Sequence, residues 1–125
     1  MDIQTLLAGY YNQAMADRKA GRSDSAAQLI AAAASRYNTD PEVRLLAAES
    51  MLLDQKNPKG ALDALATLEP SAQLRIRKGM LQADAFEALG QKDAAIAVLQ
   101  ALVSQAPNAR VQQRIDQLQG KTPAP

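Results

Sequence analysis

Without a single histidine or cysteine, this 125-residue chain has few residues that could do chemistry. The usual general base and the thiol nucleophile are both missing. Disulfides and zinc sites with His or Cys ligands are excluded with them. Carboxylates remain, and a pair such as Glu49 with Asp84 has the right groups for acid–base work. Solvated charge explains such residues more simply. No Gly-rich loop of the kind that cradles phosphate occurs. The chain therefore reads as no enzyme and as needing no cofactor or metal. Basic residues cluster at Arg18-Lys19-Arg22 and at Arg75-Arg77-Lys78. A nucleic-acid surface needs an aligned basic stripe, preferably with stacking aromatics. Here fourteen basic residues face thirteen acidic ones, a net charge of +1. Nucleic acid is set aside as a partner.

The elements that must carry these side chains are helices. The hydrophobic fraction is 47%, much of it alanine, and Phe86 is the one phenylalanine beside Tyr10, Tyr11 and Tyr37. A core of Ala and Leu suits closely packed helices, and strand-favouring residues are scarce. Three turns repeat. Gly21-Arg22-Ser23-Asp24-Ser25-Ala26 aligns with Gly90-Gln91-Lys92-Asp93-Ala94-Ala95, and Lys56-Asn57-Pro58-Lys59-Gly60-Ala61 fits between them. The three alanines stand 35 and 34 residues apart, and a fixed period of this size marks a helical repeat. Gly21 and Gly90 suit left-handed helix ends. Asp24 and Asp93 are placed to cap the helices that follow. Asp40-Pro41 and Asn57-Pro58 read as an N-cap followed by proline. The pattern predicts helices at about 2–20, 24–36, 41–55, 58–68, 72–89, 92–105 and 109–119. The short connections make neighbours antiparallel. Residues 120–125 read as a flexible tail or linker.

On these residues the chain resembles the tetratricopeptide repeat family. The third unit matches best, with Ala83, Phe86, Gly90, Ala95, Leu99 and Pro107 at the family's spacings. The first has Tyr10, Ala14, Gly21, Ala26, Ile30 and Ala33, but Asp17 in place of an aromatic and Asn38 in place of proline. The second keeps Ala48, Ala61 and Leu65, has Lys56 where glycine is usual, and reaches its proline early at Pro70. The resemblance implies an all-α, right-handed α-solenoid of antiparallel helix pairs with about seven helices. It implies one domain over 1–119, with units at about 7–40, 41–75 and 76–107. Val111, Ile115 and Leu118 lie on one face of the last helix and predict a cap over 109–119.

In this family the first helix of each pair lines a concave groove. Among the groove positions carried over, Tyr11, Met15, Arg18, Leu45, Glu49, Arg77, Met80, Asp84 and Glu87 form the expected peptide-binding set. Tyr11, Met15, Leu45 and Met80 would be apolar anchors, with charges around them. The family's clamp for a C-terminal carboxylate is not supported, because Tyr11, Met15 and Leu46 stand where it needs Lys and Asn. The reading is a protein-interaction scaffold holding a peptide or helix, as a module of a larger bacterial protein. The alternative is a spacer or self-association module. No apolar run is long enough to span a membrane, and the N-terminus lacks the pattern of a signal peptide. Cytoplasm and periplasm fit equally.

Overall fold

The computed structural model describes residues 3–69 and 71–121. These form α1 (Ile3–Lys19), α2 (Ser23–Arg36), α3 (Pro41–Leu53), α4 (Pro58–Ala66), α5 (Ala72–Ala88), α6 (Lys92–Gln105) and α7 (Ala109–Leu118), with no strand among them. Each helix ends within two residues of its predicted bounds. The fold is all-helical and consistent with a helical repeat. Of the expected tail, Gly120 belongs to the turn that closes α7 and Lys121 follows it, and the rest lies outside the described residues.

The helix ends show why the boundaries were readable. Gly21 and Gly90 take φ of 84° and 76°, a left-handed geometry that costs other residues about 1–2 kcal/mol. Each turn closes on a bond from the following N–H, Arg22 to the Asp17 carbonyl at 2.7 Å and Gln91 to the Phe86 carbonyl at 2.8 Å. These bonds satisfy carbonyls that the helix leaves open. The middle turn keeps the left-handed geometry without glycine, with Lys56 at φ 54°. At the helix starts, the Asp40 carboxylate accepts from the N–H groups of Glu42 and Val43 at 2.9 and 3.2 Å. Asn57 accepts from Gly60 N–H, and Asn108 from Val111 N–H, each at 3.0 Å. The expected caps at Asp24 and Asp93 need correcting. Arg22 and Gln91 occupy the cap positions, neither with a side-chain cap bond, and the aspartates stand inside the first turn. There their charge opposes the positive end of the helix dipole.

The chain gathers into two compact units, Met1–Glu69 and Pro70–Pro125. They divide at the Glu69-Pro70 break. In the first, α2 packs on α1 and α3, and α4 packs on α3. One core cluster joins Ala14, Ala26, Ile30 and Leu46. In the second, α6 packs on both α5 and α7. Its core joins Ala83, Ala95, Leu99 and Leu102 to Val111, Ile115 and Leu118. The three aligned alanines, Ala26, Ala61 and Ala95, are all fully buried. Alanine at a helix contact lets the axes approach to the short end of the usual ~8–10 Å. Gly79 takes this further: a Cβ there would run into the side chain of Leu102. α7 lays its apolar face on the second unit as predicted, with Val111, Ile115 and Leu118 buried.

Candidate protein-binding surface

In the first unit the candidate residues come from α1 and α3. Tyr11 and Met15 stand one turn apart on α1, and both are exposed, at 36% and 43%. Large apolar side chains left open at (i, i+4) spacing form a continuous strip. Leu45 does not join them. It is fully buried, at 0% exposure, so it is a core residue of α3 and offers nothing to a partner. A helical stripe carries core and groove positions side by side, so a one-residue step on the wheel separates the two.

Arg18 is the next turn of the same α1 face, and its charge is already committed. Its guanidinium grips the Asp54 carboxylate with two parallel bonds, Nε to Oδ1 at 2.7 Å and Nη2 to Oδ2 at 2.8 Å. Ser50 Oγ donates to the same Oδ2 at 2.8 Å. The remaining nitrogen, Nη1, lies 3.6 Å from Glu49 Oε1 and 3.6 Å from the Met15 sulfur. The Asp54 side chain is wholly buried, and that of Arg18 is 16% exposed. Burial alone would raise the Asp54 carboxyl. The hydrogen bonds from Arg18 and Ser50 outweigh it and hold the group below the ordinary carboxylate range. The Asp54 hydrogen bond in turn pushes Arg18 further up. Arg18 is thus an internal tie from α1 to the end of α3. Glu49 remains half-buried at its edge.

In the second unit, Arg77, Met80, Asp84 and Glu87 follow one another along α5. Met80 is half-buried against the core, so only part of it faces outward. Asp84 and Glu87 both meet Arg114 of α7, whose Nη2 lies 3.2 Å from Asp84 Oδ1 and 3.0 Å from Glu87 Oε2. Burial would lower Arg114, but the two carboxylates overcome it and raise the group. Arg77 is half-buried and makes no ion pair among the described residues.

Sequence reasoning missed Ser50, Asp54 and Arg114. Asp54 did carry a signal. It caps the C-terminus of α3, where a carboxylate opposes the helix dipole and needs a cation to settle it. Arg114 carried none, because its partners lie 27 and 30 residues away.

Residues 80–109 match the family model of the tetratricopeptide repeat. The match starts within α5, takes in the turn at Gly90 and all of α6, and ends at the first residue of α7. It covers the unit in which the residue resemblance was closest. No curated protein and no solved structure matches the chain. Among the described residues no helix is long and apolar enough to cross a membrane.

Proposed function

We propose, from the tetratricopeptide match and the exposed strip on α1, that this chain is a protein-interaction scaffold whose first-unit face holds a peptide or helix of another protein. Repeats of this kind are protein-interaction modules in general. The observation that carries the finer reading is Tyr11 with Met15. Both are large, apolar and open to solvent on the first helix of a pair. Anchors of this type usually supply most of the binding energy, and methionine adapts to varied partners. Arg77 and the outward part of Met80 on α5 extend the candidate set in the second unit. Since Arg18, Asp84 and Glu87 are paired within the chain, selectivity rests more on apolar contacts than on these charges. The expectation of a single domain over 1–119 with three repeats belongs to this reading. The chain is not an enzyme, and it works as a module of a larger, Ala-rich bacterial protein.

A photo-crosslinking residue at position 11, compared with the same residue at exposed Ala32 on α2, tests this in the parent cell. A partner captured from position 11 and not from position 32 supports the reading, provided Tyr11→Ala with Met15→Ala then weakens it by at least ~1–2 kcal/mol. Capture of a second copy of the chain from position 11 would favour a self-association module. Equal capture from both positions would reject this face.

A further inference from the structure

We infer that Asp54 is a positioning residue: through its two-pronged hold on Arg18 it sets where α1 stands against α3, and so shapes the face that carries Tyr11 and Met15. This rests on the face proposed above only in what it says about binding. The placement of α1 is a matter of the first unit alone.

Much of the apolar contact at this junction comes from small side chains. The cluster joining α1, α2 and α3 is built from Ala14, Ala26, Ile30 and Leu46, with the partly buried Leu29 and Ala47 packed against it. Three of the six are alanine. Small, smooth side chains let helices approach closely, but they tolerate sliding and rotation better than interlocking large ones. α1 packs along α2, and α2 along α3, so an error in either angle carries over to the relation between α1 and α3. The Arg18–Asp54 fork spans that gap directly. Two parallel hydrogen bonds at 2.7 and 2.8 Å fix direction as well as distance. Ser50, also buried, holds the carboxylate from the α3 side.

The arrangement is costly enough to need a reason. A wholly buried carboxylate stands at the C-terminal end of α3, against the dipole. Replacing a buried ion pair with apolar residues of similar volume is often neutral or stabilising, so stability alone is a poor reason to keep this one. Registry is a better one. Arg18 also passes the placement on, since its third nitrogen, Nη1, lies 3.6 Å from both the Met15 sulfur and Glu49 Oε1. A fixed Arg18 fixes the base of the strip.

The chain has no cysteine, so spin labels can be placed at will. Labels at exposed Asn12 on α1 and exposed Lys59 on α4 report the placement of α1 by pulsed dipolar spectroscopy. The variant is Arg18→Met with Asp54→Leu, which removes both charges and leaves only the small Ser50 hydroxyl without its acceptor. With helix content unchanged by circular dichroism, a broadened or shifted distance distribution is expected. An unchanged narrow distribution would overturn the inference, because packing alone would then place α1. If the double variant does not fold, Arg18→Lys decides by the same two results. It keeps the charge and loses the fork. The distances need no partner, so they judge the positioning role whether or not position 11 captures one.

Discussion

Removing the Asp54 carboxylate is the most informative single change. Asp54→Ala leaves Arg18 facing only Glu49, at 3.6 Å, and strips the buried Ser50 hydroxyl of its acceptor. Breaking a fully buried pair from one side costs about 3–5 kcal/mol. Arg18 keeps some contact with solvent and with Glu49, which lowers the expectation to roughly 2–4 kcal/mol. The loss should also depend on pH. The folded-state pKa of Asp54 lies below its ordinary value. Its contribution is therefore fully present above the unfolded carboxyl pKa of about 3.9 and fades as pH falls through the lower, folded value. Urea unfolding followed by circular dichroism, at neutral pH and again at about pH 3, measures both effects. The two proteins differ only at position 54, so the difference between them reports on the Asp54 site. The gap should be wide at neutral pH and narrower in acid. Asp24→Ala, at an exposed carboxylate in the first turn of α2, is the control and should cost well under ~1 kcal/mol. A variant within about 0.5 kcal/mol of the parent, or a gap that does not shrink in acid, would refute the reasoning, since neither suits a buried ion pair.

Ala95 is fully buried where α6 meets its neighbours, so Ala95→Leu should overpack that junction and lower urea stability by about 1–3 kcal/mol. Truncation after Pro107 removes Val111, Ile115 and Leu118 from the core of the second unit. It should produce dimers or aggregates in sedimentation at concentrations where the full chain shows none. Lys56 holds a left-handed turn that glycine holds in the other two repeats, so Lys56→Gly should raise the thermal midpoint, with a gain of about 0.5–1 kcal/mol once the added chain entropy is counted.

Local signals determined the helices. Asp40, Asn57 and Asn108 cap from the side chain, prolines follow two of them, and Gly21 and Gly90 end two helices. Each acts within a few residues of its own position, so the linear chain displays it whole. The buried alanines were legible for a related reason. A 34-residue period repeats the same contact, and three copies expose the pattern that one would hide. Surface and pairing were different. Leu45 and Met15 both read as groove positions, yet one is core and the other is open. The choice turns on which way each helix rotates against its neighbours. Arg18 read as a groove charge, and nothing in the sequence singled out Arg114. Their partners lie 36 residues off in one case and 27 and 30 in the other. Only packing brings those carboxylates within reach, and an ion pair is a property of distance in space, which sequence separation does not contain.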